Sequence, residues 1–157
     1  MIQTIEGRTQ AADLRWAIVA SRFNQAVADE LLGGAIDCLL SHGAQEPDLL
    51  VIRVPGAFEI PMTVSKVLRS EKLDGVITTG ALIRGETPHF DFIARQVTAE
   101  LSSIAVESGV PVSFGILTCD TLEQARDRSR PGNNKGWEAA LAAIEMADLY
   151  RAIQGRT

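Results

Sequence analysis

The sequence has few of the side chains on which chemistry is most often built. Histidine occurs twice and cysteine twice, and aromatic residues make up 5% of the chain. Cys38 and Cys119 lie far apart and form no CxxC pair, which argues against a zinc site and against a disulfide framework. Two free thiols and three methionines suit a reducing, cytoplasmic setting. No apolar run approaches the length of a membrane span. The opening residues MIQTIEG carry no apolar signal core, so no secretory leader is expected. Net charge is −5 and no long basic run occurs, which sets nucleic acid aside as a partner. A P-loop, a GxGxxG turn after the first strand, HExxH and GxSxG are all missing. No paired metal-ligand spacing occurs, so no metal site is expected.

What remains is the composition of one soluble domain, residues 1–157, with 46% apolar and 22% charged residues. Short apolar runs alternate with helical periodicity. Strands are predicted at 15–21, 48–54, 73–83 and 110–117. Helices are predicted at 24–42, 59–71, 88–107, 121–128 and 136–153. In the first helix Val27, Leu31, Gly34, Ala35, Cys38 and Leu39 fall on one face, and Gly43 suits a left-handed stop. His42, at that helix end, is accounted for by capping. Continuous apolar strands separated by amphipathic helices predict a four-stranded parallel sheet covered on both faces. The fold class is α/β, a flavodoxin-like three-layer αβα sandwich. Residues 1–12 stand outside this pattern. They read as an arm that adds an edge strand, in this subunit or in a neighbouring one.

In such sheets ligands bind beyond the carboxyl ends of the strands. Four loops face that rim: SRFN (21–24), VPGAFEIP (54–61), RGETPH (84–89) and TCDT (118–121). The third is the most informative. Thr87 suits a helix N-cap, Pro88 the first helical position and His89 the second. The free amides and dipole of that helix end favour an anion, and Gly85 lets backbone approach it. The same positive end disfavours an imidazolium, which leaves His89 neutral and able to take or pass on a proton. Read alone, a first-turn histidine is as often an inert surface residue. Phe23 and Phe58, two of the chain's few aromatics, would offer faces to a flat ring, with Glu59 beside them. Read singly, each packs under its loop, and Glu59 only favours a helix start. Cys119 reads as a packed thiol. Arg126, Arg128, Arg130 and Lys135 are either a solvated face or a clamp for a phosphorylated ligand.

Three segments, PGAFEIP, GALIRGETPHFD and NKGWEAA, occur in an order and spacing that resemble the 6,7-dimethyl-8-ribityllumazine synthases of riboflavin synthesis. The resemblance runs from SRFN to GNNKGWEAALAAIEM, nearly the whole chain. It implies condensation of 5-amino-6-(D-ribitylamino)uracil with 3,4-dihydroxy-2-butanone 4-phosphate, through an imine, phosphate elimination and ring closure, without cofactor or metal. By position it implies that Phe23 stacks on the pyrimidine and that Ala57, Phe58 and Glu59 hold the uracil and ribityl side. Ala81, Leu82 and Ile83 would line the ring edge. Gly85, Glu86 and Thr87 would meet the phosphate, and His89 would move the proton. Phe114 and Arg128 would come from an adjacent subunit, with Lys135 near the phosphate. The resemblance further implies homopentamers, some members packing twelve into a 60-subunit icosahedral capsid, and a functional link to riboflavin synthase. Between Arg128 and Lys135 this chain reads SRPGNN, one residue shorter than the usual capsid-forming version, and this bears on how pentamers meet. Two other readings use the same residues: a domain that binds flavin or lumazine without turnover, and a shell protein with a vestigial site. An unrelated phosphate-binding aldolase would lack a lysine at the strand ends.

Overall fold

The computed structural model describes residues 1–156. Among these, four parallel strands, β1 (Trp16–Ser21), β2 (Leu49–Val54), β3 (Gly75–Ile83) and β4 (Val112–Cys119), lie in the order β2-β1-β3-β4. Five helices connect and flank them: α1 (Gln25–Ser41), α2 (Ile60–Ser70), α3 (His89–Ser108), α4 (Leu122–Asp127) and α5 (Lys135–Gln154). The predicted elements are present, with ends moved by a few residues.

Alternation along β1 builds the three layers. Trp16, Ile18 and Ala20 join Leu39 of α1 and Ile144 of α5 in one core. Ala17 and Val19 point the other way, to Ile60 and Val64 of α2 and Val97 and Leu101 of α3. Size is balanced across the register. Trp16 is fully buried opposite Gly75, where a methyl group would collide with the indole ring. Its Nε1 donates to the Ala11 carbonyl at 3.3 Å. Burial pushes the Cys38 thiol in the same core up to about 11.

The α1–α5 contact depends on small residues and one amide. A side chain at Gly34 would strike Asn134, and one at Gly136 would strike the Leu31 carbonyl. Asn134 Nδ2 donates to the Glu30 carbonyl at 2.8 Å and the Ser129 carbonyl at 2.7 Å, while its Oδ1 caps α5 through Trp137 N at 3.0 Å. At the other end of α1, Gly43 takes φ +105° and the His42 Nδ1–H donates to the Cys38 carbonyl at 2.7 Å. Both agree with the helix stop read from the sequence.

Three expectations change. The sheet is not covered on both faces throughout: β1 is buried along its length, whereas Leu50 and Val51 of the edge strand β2 are exposed. The arm forms no strand in its own chain. It follows α5 instead, with Gly7 against the Glu145 carbonyl and Arg8 paired with Asp148. Thr118 and Cys119 belong to β4, so the fourth loop is shorter than TCDT. No described helix is long and apolar enough to cross a membrane.

Candidate active site

A cavity of about 660 Å³ opens beyond the carboxyl ends of β1, β2 and β3. It is lined by Phe23, by Ala57, Phe58 and Glu59, by Ala81, Leu82 and Ile83, and by Gly85, Thr87 and His89. These side chains come from three separate loops and strand ends, and the parallel register of β1, β2 and β3 brings those ends together. Phe23 is 66% and Phe58 53% exposed. Two large aromatics left open at one rim provide the faces a planar ring needs. Ala57 begins a single 3₁₀ turn after Gly56, and that turn presents Phe58 and Glu59 to the cavity.

The anion seat differs in detail from the sequence reading. Pro88 occupies the cap position and His89 is the first helical residue of α3. The amides of Asp91 and Phe92 both donate to the Pro88 carbonyl, at 3.1 and 3.3 Å, so the helix ladder starts one residue later than Thr87 would set it. Thr87 lines the cavity, and no side chain caps α3. A helix start without a side-chain cap keeps its first amides available to an anion. Glu86 is exposed and lies outside the cavity lining, unlike its neighbours Gly85 and Thr87.

Phe114, Arg128 and Lys135 lie elsewhere. They line a second groove of about 610 Å³ along β4 and α5, and the two sets of lining residues do not overlap. The Lys135 amide donates to the Arg128 carbonyl at 2.9 Å, which fixes the two basic residues relative to each other. The Lys135 ammonium pairs with Glu138 at 2.8 Å, and the Arg128 Nη1 donates to the Gln124 carbonyl at 3.1 Å. Cys119 lines this groove as a buried thiol. Burial raises its pKa and the nearby Arg128 opposes that shift, so it is a poor nucleophile. No group of described residues has the composition of a metal site.

Gly56, Phe90 and Ile93 also line the cavity and were not anticipated. Ile93 follows His89 by one helical turn, a spacing that signals a shared face. Ile93 also packs against the core beneath α2 and α3. Phe90 is held by Arg84, whose guanidinium carbon lies 4.5 Å from the ring centroid.

A doubly wound α/β protein with an open cavity at its strand ends belongs to a class that takes small ligands there. Comparison with known proteins makes this specific. The family model for 6,7-dimethyl-8-ribityllumazine synthase matches residues 13–151. The chain is 50% identical over 154 residues to the 6,7-dimethyl-8-ribityllumazine synthase of Aquifex aeolicus, covering 98% of this chain and all of that one. It is 48% identical to the enzyme of the same name from Chlorobaculum tepidum and 49% identical to that from Chloroherpeton thalassium, with 97% of this chain and 99% of each relative covered. The chain belongs to the 6,7-dimethyl-8-ribityllumazine synthase family.

Proposed function

We propose that the active site is shared between two chains: the cavity of one takes the ring substrate, and the β4–α5 groove of the next supplies Phe114, Arg128 and Lys135 to close it. The reaction is that of the family, lumazine synthesis, the penultimate step of riboflavin formation. The single observation behind the shared site is the separation within one chain of the ring cavity from the basic groove.

Phe23 and Phe58 sandwich the pyrimidine edge of 5-amino-6-(D-ribitylamino)uracil. Ala81, Leu82 and Ile83 flank it, and Glu59 accepts hydrogen bonds from ribityl hydroxyls. The phosphate of 3,4-dihydroxy-2-butanone 4-phosphate sits at the start of α3, against Gly85 and Thr87, with Arg128 as counter-charge. Glu86 contributes backbone rather than carboxylate there, because a second anion would oppose the phosphate. The ring amine attacks the ketone carbon and water leaves, giving an imine. Phosphate is then eliminated, and the ribitylamino nitrogen closes the second ring with loss of another water. His89 carries protons between nitrogen and carbon in these steps. The protein's main contribution is holding two reactants in contact.

The exposed edge of β2 is covered by the leading residues of an adjacent chain's arm, ahead of the Arg8 anchor on that chain's own α5, which removes an open edge. Five such chains close a ring, with SRPGNN at the contacts between rings. The test follows absorbance at the lumazine band with both substrates, over a dilution series monitored by sedimentation. Activity per chain falls as the assembly dissociates. Undiminished activity in single chains would refute the shared site, and a rise that does not need the phosphorylated ketone would refute the chemistry.

A further inference from the structure

Arg84 is the most heavily tethered cation beside the cavity, and the reaction above gives it no task. Its Nε donates to Asp120 Oδ1 at 2.8 Å, and its Nη1 donates to both oxygens of Asp91 at 3.0 and 3.2 Å. Its own amide donates to the Cys119 carbonyl at 2.8 Å. The guanidinium lies over the Phe90 ring, which forms cavity wall next to His89. One side chain thus ties the end of β3 to the end of β4 and to the first turn of α3.

The position of Asp91 makes this more than a surface ion pair. Asp91 sits in the first turn of α3, at the helix end that offers its amides to phosphate. A free carboxylate there competes for the same dipole and repels the incoming anion. Arg84 Nη1 bridges both carboxylate oxygens and offsets that charge while Nε holds Asp120, two tasks that a single ammonium serves less well. We propose that Arg84 is a positioning residue for the phosphorylated substrate: it holds the Asp91 carboxylate off the anion seat and the Phe90 ring against the cavity wall. The inference rests on the assignment of that seat to phosphate.

The test compares the assembled wild-type protein with Arg84→Gln, Arg84→Lys and the double variant Arg84→Gln/Asp91→Asn. Two quantities are measured for each: the KM of both substrates, and the Kd of inorganic phosphate by calorimetry. In Arg84→Gln the KM of the phosphorylated ketone and the Kd of phosphate rise about two- to fivefold, the scale of a half-exposed ion pair. The KM of the aminouracil changes less, since only the Phe90 wall of its cavity loosens. Removing the Asp91 charge in the double variant restores most of the loss, and Arg84→Lys falls between. A phosphate Kd unchanged in Arg84→Gln, even with a lower melting temperature, overturns the proposal and leaves an ordinary ion pair. A double variant as weak as the single one overturns it too. Wild-type protein that forms no lumazine sinks the functional reading separately, and the phosphate titration still decides the role of Arg84.

Discussion

Replacing Gly136 by alanine tests the packing of α5 on α1, which sets where Arg128 and Lys135 stand. A Cβ at this position would lie 2.8 Å from the Leu31 carbonyl carbon, closer still to its oxygen, and 3.0 Å from Asn134 Oδ1. The first obstacle is helix backbone and cannot swing aside as a flexible side chain can. Overpacking of this kind costs about 1–3 kcal/mol. Alanine is favoured over glycine in a helix interior by roughly 0.5–1 kcal/mol, but the second residue of α5 gains less than that. The net loss is about 1–2 kcal/mol, or a melting temperature lowered by roughly 2–8 °C for a chain of this size. Gly33, on the same helix as Leu31, has nothing within 4 Å of an added Cβ. There the same substitution keeps only the helix gain and raises the melting temperature by roughly 1–4 °C. Both variants are measured by calorimetry at one protein concentration, since assembly contributes to apparent stability. A Gly136→Ala protein as stable as wild type, or a Gly33→Ala protein less stable, would refute the account of the α1–α5 contact.

Further outcomes follow from the site and the arm. His89→Ala retains measurable lumazine formation, because amine and ketone condense without help; a rate equal to the no-enzyme control would assign His89 a larger part. Arg128→Ala raises the KM of the phosphorylated ketone, and an unchanged KM in steady-state kinetics excludes the clamp. The Asp148 carboxyl is held below its ordinary range by the Arg8 guanidinium and amide. Its stabilisation is therefore complete above the unfolded-state value of about 3.9 and lost as pH falls through the lower folded-state value. Limited proteolysis of the arm at neutral pH is faster in Asp148→Asn than in wild type; equal rates would show that the pair does not hold the arm.

Local signals carried most of the fold. The apolar runs of β1 and β3, the one-sided pattern of α1 and the stop at Gly43 are properties of short windows, and each is visible without tertiary knowledge. The cavity was legible because parallel strands must bring their carboxyl-end loops to one rim. Phe23, Phe58, Thr87 and His89 meet there as their loops require. The helix start was misjudged by one residue because Thr-Pro satisfies the capping preference at a register the chain does not adopt, and the acceptor of the Asp91 and Phe92 amides puts Pro88 at the cap instead. The exposure of β2 was not legible, since an edge strand and a central one share the same apolar composition. Arg84 carries no local signal of its contacts. Its partner Asp120 is 36 residues away, and no periodicity links them.

The clasp between Arg8 and Asp148 spans 140 residues of sequence. Synthesis proceeds from the N-terminus, so Arg8 emerges 140 residues before its partner. While the chain grows, the arm has no α5 to lie on, although the sheet strands and α1 can already pack. The clasp must therefore close late. A contact absent from the folding transition state leaves the folding rate unchanged and slows unfolding instead. The arm is made before α5 yet secured only after it, and it acts as a latch on the folded subunit rather than as a guide to its formation.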